Sequence, residues 1–252
     1  MLGYIDYLFF RFRHWLKRGR NPIEYELEIR RLYNERVGLK KVAHNELFDV
    51  MSFETNGKFD YELYKKIQTL GNKGKIDRVF AQEANIRHLI QNLETINPSI
   101  SFVLCHGTRN AAEQKYFEKY LSKPATILGT EISDNAHEYP MTIEWDFHET
   151  KPEWIGRTDV IYSNSWDHSY DPEKLFKAWL SCLSPGGVMA LEWSRQHDSS
   201  PKLLDPLSIS VDNLLKLLRT LDRDGQFKTL EPDTSLPVRD VEQTFVLVQR
   251  VR

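Results

Sequence analysis

The sequence contains few cysteines and no long apolar run, and each shortage excludes a class of protein. Cys105 and Cys182 are the only cysteines among 252 residues, and they form neither a CxxC pair nor a ligand-spaced cluster. This usage predicts a reduced protein without a disulfide framework, in the cytoplasm. No apolar run approaches the roughly 20 residues that span a bilayer. We therefore expect a soluble protein that is at most peripheral to a membrane.

Neither sign of charge is in large excess. Lys and Arg together number 34, Asp and Glu together number 36, and the formal net charge is −2. The chain therefore lacks the strongly basic field of proteins that coat nucleic acids, and we expect no nucleic-acid partner. A chain of 252 residues buries roughly 70–75% of its unfolded surface, so it needs no disulfide or structural metal in order to fold.

Two parts of the chain differ in their apolar pattern. Up to residue 98, apolar residues recur at three- and four-residue spacing within Tyr25–Tyr33, Phe59–Leu70 and Ile76–Leu93. From residue 99, short β-rich apolar runs alternate with amphipathic stretches, which is the pattern of a parallel sheet covered by helices. We predict a helical N-terminal region, residues 1–98, followed by an α/β domain, residues 99–252.

Two neighbouring strand ends in the α/β domain carry residues suited to a nucleotide ligand. The first predicted strand ends at His106-Gly107, and a glycine in the turn before a helix lets backbone amides approach a ligand closely. The next strand ends at Glu131, where a carboxylate can accept hydrogen bonds from two ribose hydroxyls. The alternative for Glu131 is an ordinary surface acid in a loop.

Five segments of this domain resemble, in order, the class I S-adenosylmethionine-dependent methyltransferases. Val103–Ala111 resembles their cofactor loop, Ile127–Ser133 the ribose-binding strand end, and Thr142–Glu149 the segment whose acid faces the adenine amine. Asp159–Asp171 resembles the fourth strand with the active-site loop, and Leu183–Trp193 the turn into the fifth strand. The resemblance implies a Rossmann-like seven-stranded methyltransferase sheet whose last strand is antiparallel.

The resemblance also implies S-adenosyl-L-methionine as the cofactor. The residues it places at the cofactor are His106, Gly107, Thr108, Arg109, Glu131, Ile132, Asp146, Phe147 and Ser163. Capping of the following turn is the alternative role for Asp146.

The glycine loop departs from the family pattern. The family pattern has an acid and three glycines, and this chain keeps only one of these residues, Gly107. Cys105 stands in place of the acid, and Arg109 and Ala111 stand in place of the later glycines. A guanidinium at Arg109 can instead bind the carboxylate of the cofactor in a bidentate manner.

The segment after the fourth strand, residues 163–170, is the predicted place of catalysis. His168 is the candidate base because the ordinary pKa of histidine lies near neutrality, and Asp167 is its orienter or an alternative base. The alternative is a structural histidine bonded to a backbone carbonyl. No histidines show ligand spacing such as HExxH, so the sequence predicts no metal site.

Two kinds of acceptor are disfavoured. Ser163-Asn-Ser-Trp166 lacks the paired prolines of enzymes that methylate exocyclic base amines, and Cys182 lies in a helical pattern instead of a nucleophile loop. A hydroxyl of a small molecule or glycan remains, so we expect O-methylation. A methyltransferase-like binding module without activity, and another Rossmann enzyme such as one that uses NAD, remain alternatives; the absence of GxGxxG disfavours the second.

Residues 1–20 form a local exception to the charge balance. Apolar and aromatic residues recur there at helical spacing, and basic residues outnumber the single acid, Asp6. Such a helix can lie at an anionic membrane surface, which would suit a lipid-linked acceptor. The alternative is that its apolar stripe packs on the rest of the protein or on a second subunit.

Overall fold

A computed structural model of the chain describes residues 22–222, 224–238 and 242–251. The predicted amphipathic helix of residues 1–20 lies outside these ranges. Among the described helices, none combines the length and the apolar character that crossing a membrane requires.

A seven-stranded sheet forms the centre of the molecule, with the strand order β11-β12-β9-β8-β5-β6-β7. Its strands are β5 Phe102–His106, β6 Thr126–Glu131, β7 Thr142–Glu144, β8 Thr158–Ser163, β9 Leu183–Ser194, β11 Phe227–Thr229 and β12 Gln243–Arg250. Strands β5 to β9 are parallel, whereas β12 is antiparallel to β9 and to β11. This confirms the predicted seven-stranded sheet with its antiparallel final strand.

Helices cover both faces of this sheet. They are α3 Glu83–Ile96 and α4 Ala112–Tyr120 on one face, and α5 Pro172–Cys182 and α6 Val211–Leu221 on the other. Side chains alternate along a strand, so Val103 and Cys105 join the core under α3, while Leu104 joins the core under α5. Strands β5 and β8 are buried on both faces, which explains why apolar residues follow one another in their sequences instead of alternating with polar ones.

The segment Leu183–Trp193, expected to begin with a turn into the fifth strand, differs in the structure. Helix α5 ends at Cys182, and β9 begins at Leu183 and runs through Ser184-Pro-Gly-Gly187, with an irregular register opposite Thr158. A Cβ on Gly187 would lie 2.7 Å from the carbonyl oxygen of Thr158. Close approach of two backbones, instead of a turn, is thus the reason for glycine at this position.

The N-terminal region contains helices where the periodicity predicts them, and also strands that it does not predict. Its helices are α1 Pro22–Arg36 and α2 Tyr61–Gly74, and between them lie β1 Val42–His44, β2 Asp49–Met51, β3 Glu54–Thr55 and β4 Lys58–Phe59. Strand β2 also pairs with β10 Leu207–Ser208, from the C-terminal half. Packing does not divide at residue 98, because α3 contributes Ile86 and Leu89 to the core of the large sheet.

Candidate active site

The loop after β5 keeps the backbone shape of a glycine loop without most of its glycines. Gly107, Arg109 and Ala111 have φ angles of +75°, +39° and +63°. A Cβ on Gly107 would lie 2.8 Å from the Cβ of Ser165, so glycine is required there for close approach as well as for backbone shape. The two residues that replace glycines thus adopt the left-handed region themselves, at a cost of about 1–3 kcal/mol each.

Glu131, at the end of β6, is oriented by this loop. The amide of Arg109 donates to its Oε2 at 3.0 Å, and the amide of Ser133 donates to its Oε1 at 3.2 Å. Glu131 is buried, yet each carboxylate oxygen has a second lone pair that these amides leave unused. The carboxylate is therefore held in place and can still accept hydrogen bonds from a vicinal diol.

A cleft lies above these strand ends. Its walls include the predicted residues Gly107, Arg109, Glu131, Ile132, Phe147 and His168. Helix α2 closes the opposite side with Gln68, Gly71 and Asn72, together with Lys75, which caps the end of the helix. The free volume is about 40 Å³, far below the roughly 300–1,000 Å³ of a typical ligand pocket. A ligand of nucleoside size therefore enters only when a wall of the cleft moves.

Asn72 is the part of this wall that lacks a partner. Its side-chain amide oxygen and nitrogen are both buried, and neither has a hydrogen bond with a described residue. A buried amide without partners costs about 1–3 kcal/mol. Close by, Leu204 rests on Gly71, where a Cβ would lie 2.3 Å from the Leu204 Cδ2. The α2 side of the cleft is thus both closely packed and incompletely satisfied, as expected for a wall that receives a polar ligand.

Three predicted cofactor residues lie behind the cleft instead of lining it. His106 is buried and stacks on Trp179 with ring centroids 4.6 Å apart, and burial lowers its pKa to about 3. Thr108 accepts a hydrogen bond from Gln114, and Ser163 donates to the carbonyl of His106 at 3.0 Å. These side chains support the loop, and their direct contact with a cofactor stays a prediction.

Asp146 forms hydrogen bonds with protein groups, and its contact with the adenine amine stays a prediction. His148 contacts its Oδ1 through Nδ1 at 2.7 Å, and Tyr61 also donates to the carboxylate. The other ring nitrogen of His148 lies 2.8 Å from the Ser169 Oγ, so the Asp146–His148–Ser169 cluster ties the segment after β7 to the segment after β8. Burial lowers the pKa of His148. Burial would raise the pKa of Asp146, but hydrogen bonds from His148 outweigh it and keep that pKa below its usual value.

A second cavity adjoins the cleft; we name it the acceptor cavity after the role proposed for it below. Its volume is about 430 Å³, and it shares Lys75, Arg109, Ser165 and His168 with the cleft. Glu192, at the end of β9, lines its far side, and burial raises the pKa of that carboxyl. A molecule in the acceptor cavity would therefore face a molecule in the cleft across these four shared residues.

Both predicted catalytic residues lie in this acceptor cavity, on the helical turn Trp166–His168. The His168 Nε2 lies 3.5 Å from the Asp205 Oδ1, and the Asp167 Oδ2 lies 3.6 Å from the His197 Nε2. Burial, together with the Asp205 carboxylate, raises the pKa of Asp167, while burial lowers the pKa of His168. Tyr64 of α2 donates to the backbone carbonyl of His168 at 2.9 Å and fixes the turn from the other side.

Solved structures with the same architecture bind methyltransferase ligands. A Burkholderia thailandensis 1,6-didemethyltoxoflavin-N1-methyltransferase, with 1,6-didemethyltoxoflavin and S-adenosylhomocysteine bound, matches with a TM-score of 0.58 and 12% identity, over 84% of this chain and 100% of that chain. The plantazolicin methyltransferase BpumL in complex with SAH matches with a TM-score of 0.53 and 14% identity, over 67% of this chain and 83% of that chain. The chain has the class I methyltransferase fold.

A third structure agrees with this fold. A Clostridium acetobutylicum S-adenosylmethionine-dependent methyltransferase matches with a TM-score of 0.50 and 12% identity, over 70% of this chain and 95% of that chain. At the level of sequence, no protein-family model matches the chain, and no curated protein does.

Several residues at the site of this methyltransferase fold escaped sequence reasoning. They are Asn72 from α2, Lys75 at its C-terminal cap, His197 and Asp205 after β9, and Leu204. Asn72 and Lys75 lie at the end of a helix whose periodicity predicts only its apolar face. Asp205 carries one weak signal, the Asp205-Pro206 pair that is typical of a loop, and nothing in that signal points to His168.

Proposed function

We propose that the protein transfers a methyl group from S-adenosylmethionine to a hydroxyl of a small-molecule or glycan acceptor. The observation that carries the proposal is the loop from Gly107 to Ala111. Three of its residues have positive φ angles, and this backbone shape lets the amide of Arg109 donate a hydrogen bond to the carboxylate of Glu131. The ends of β5 and β6 are thereby joined into one edge that can bind a ligand. This is the edge at which open α/β sheets bind their ligands.

The cleft residues fit the parts of the proposed cofactor. Glu131 would accept hydrogen bonds from the ribose hydroxyls, and Ile132 and Phe147 would provide apolar contacts for the adenine. Arg109, whose guanidinium lies 5.0 Å from the Phe80 ring centre and has a buried Nε without a hydrogen bond, would bind the carboxylate. Asn72 would gain the partners that it lacks. Because His148 and Tyr61 bind Asp146, we do not extend the adenine role to that residue.

The reaction demands little of the protein beyond alignment. S-adenosylmethionine supplies an electrophilic methyl group on a sulfonium, so the enzyme orients the acceptor oxygen and removes its proton. The acceptor would occupy the acceptor cavity, where His168 stands at the junction with the cleft. His168 or Asp167 would accept the proton, since both face the same cavity. We propose the cytoplasm as the location, because both cysteines are free, buried thiols.

Calorimetric titration tests the proposed cofactor. Wild-type protein, Glu131→Gln and the control Glu138→Gln, an exposed acid nearby, would each be titrated with S-adenosylmethionine, S-adenosylhomocysteine and NAD. We expect wild type and control to bind the first two ligands, and Glu131→Gln to bind them roughly ten- to a hundredfold more weakly. Preferential binding of NAD, or equal affinity in both variants, would contradict the proposal.

A methyl-transfer screen over hydroxyl-bearing acceptors tests the activity. We expect transfer to small-molecule or glycan hydroxyls. A protein that binds S-adenosylmethionine but methylates nothing, in the presence or absence of added divalent cations, would instead be a binding module. Transfer to an amine or a carbon would retain the cofactor part of the proposal and overturn the hydroxyl part.

A further inference from the structure

Three side chains that line the acceptor cavity bring atoms of the kind that bind metal ions close together. Asp167, His168 and Asp205 each offer one such atom, and these atoms lie within 4.8 Å of one another. We propose that this trio, the 167–205 cluster, binds a divalent cation of the Mg²⁺ and Mn²⁺ class. Carboxylate oxygens with one imidazole suit such ions.

The His168–Asp205 pair is more widely spaced than the three hydrogen-bonded histidine–aspartate pairs among the described residues. His44–Asp49, His88–Asp233 and His148–Asp146 have N···O distances of 2.7, 2.8 and 2.7 Å. The His168–Asp205 distance is 3.5 Å, too long for a normal hydrogen bond. Two ligands bound about 2.1 Å from one ion lie about 3.0–3.5 Å apart when they subtend 90–110°. The His168–Asp205 pair therefore has the spacing of two ligands of one ion and not that of a hydrogen-bonded acid and base.

His197 supports the cluster from behind. The backbone amide of Ser194 donates to its Nδ1 at 2.7 Å, so in the neutral ring the proton is on Nε2. That Nε2–H faces the Asp167 Oδ2 at 3.6 Å. His197 cannot ligate a cation in this tautomer, but it can orient the ligating carboxylate, which is a usual role for groups around metal ligands.

The cluster leaves positions open for a substrate. Three protein ligands do not complete the coordination of such an ion, and the remaining positions face the acceptor cavity, which Asp167, His168 and Asp205 all line. Lys75 and Arg109 line the same cavity and compete with a cation for the carboxylates. We therefore expect modest affinity for the free ion and tighter binding once an acceptor oxygen joins it.

The inference deepens the proposed function and depends on it for the use of the ion. A bound cation would hold the acceptor oxygen at the junction with the cleft and lower the pKa of its hydroxyl. His168 would then act as a ligand, and the proton would leave to solvent instead of to His168. The existence of the site does not depend on the reaction, so it can be measured without an acceptor.

Binding of Mn²⁺ alone tests the site. Chelator-treated, dialysed protein would be titrated with Mn²⁺ by calorimetry and by electron paramagnetic resonance, with Asp205→Asn and His168→Ala as variants. Asp198→Asn removes an exposed carboxylate from the neighbouring turn and serves as the matched control. We expect one site in wild type and control, and roughly ten- to a hundredfold weaker binding in both cluster variants.

The outcomes separate this inference from the proposed function. Absence of Mn²⁺ binding to wild type at millimolar concentration, or equal affinity in Asp205→Asn and Asp198→Asn, would overturn the metal site and leave the proposed methyl transfer untouched. Full methyl transfer by the chelated protein would overturn the role of the ion and return His168 to the role of base. Binding of Mn²⁺ without binding of S-adenosylmethionine would support the site and overturn the proposed function.

Discussion

Two histidine–aspartate clusters lie next to each other along the segment after β8, and they differ in spacing and in access to solvent. The Asp146–His148–Ser169 cluster has distances of 2.7 and 2.8 Å, and its histidine side chain is 0% exposed. In the 167–205 cluster the His168–Asp205 distance is 3.5 Å, and the histidine side chain is 24% exposed to the acceptor cavity. Both clusters contain histidine and aspartate, so residue type does not distinguish them. They differ because both ring nitrogens of His148 are within hydrogen-bond distance of a partner, whereas the His168–Asp205 distance is too long for a normal hydrogen bond. The first cluster stabilises the loop, and the second can exchange protons or ligands.

Removing the buried histidine should give the largest effect. His148→Ala leaves the carboxylate of Asp146 and the hydroxyl of Ser169 without this partner, and depriving a buried carboxylate of a hydrogen-bond donor costs about 3 kcal/mol. Denaturant unfolding of the variant should show a loss of that size. His44→Ala breaks a pair whose histidine side chain is 74% exposed, so it should cost about 0–1 kcal/mol. Equal losses would remove the distinction between saturated and exposed pairs.

Removing the cavity histidine should affect turnover and spare stability. His168→Ala should lower turnover about a hundredfold or more, with nearly unchanged affinity for S-adenosylmethionine, whether His168 acts as a base or as a ligand. Steady-state kinetics with an acceptor from the screen, together with calorimetry, measures both quantities. A parallel loss of cofactor affinity would make His168 a cofactor contact instead.

Acidification should destabilise the protein through its buried histidines. Burial lowers the pKa of His106 to about 3, whereas an unfolded histidine titrates near 6.5. Below pH 6.5 the unfolded state therefore binds more protons, and stability falls until the folded group also titrates near pH 3. Between pH 7 and pH 5 the His106 contribution is about 2 kcal/mol. Between pH 7 and pH 5, the unfolding free energy of His106→Gln should therefore fall by about 2 kcal/mol less than that of the wild type. If both proteins lose the same unfolding free energy, His106 is not the source of the pH dependence.

Relaxing the cofactor loop should give the smallest effect. Ala111→Gly removes the cost of a side chain at a φ of +63° and should stabilise the protein by about 1 kcal/mol. Ala112→Gly, one residue later at the first position of α4, is the matched control; it relieves no strain and loses a buried methyl group, so it should destabilise by about 0.5–1 kcal/mol. Thermal unfolding of both variants measures the difference in sign, and stabilisation by both would exclude strain at Ala111 as the cause.

Local patterns carried much of the prediction of the site. The strand ends at Gly107 and Glu131 adjoin in the structure because parallel strands end at one edge of a sheet, and β5 pairs directly with β6. Arg109 and Ala111 looked like departures from the glycine loop, yet their positive φ angles retain its shape. Propensity does not reveal this, since the surrounding hydrogen bonds, such as that from the Arg109 amide to Glu131, impose the strained backbone.

The residue pattern predicted a parallel sheet covered by helices and the strand ends that line the cleft, because periodicity and turn chemistry act within a few residues. The seven strands and the antiparallel last strand were expected from the resemblance to the methyltransferase family. What the site residues contact follows from tertiary packing alone. Tertiary packing places His148 within hydrogen-bond distance of Asp146 and places Asn72 of α2 in the wall of the cleft. It also places Asp205 opposite His168, 3.5 Å away across a long separation in the chain. Such contacts depend on how whole elements pack, and no local pattern encodes them.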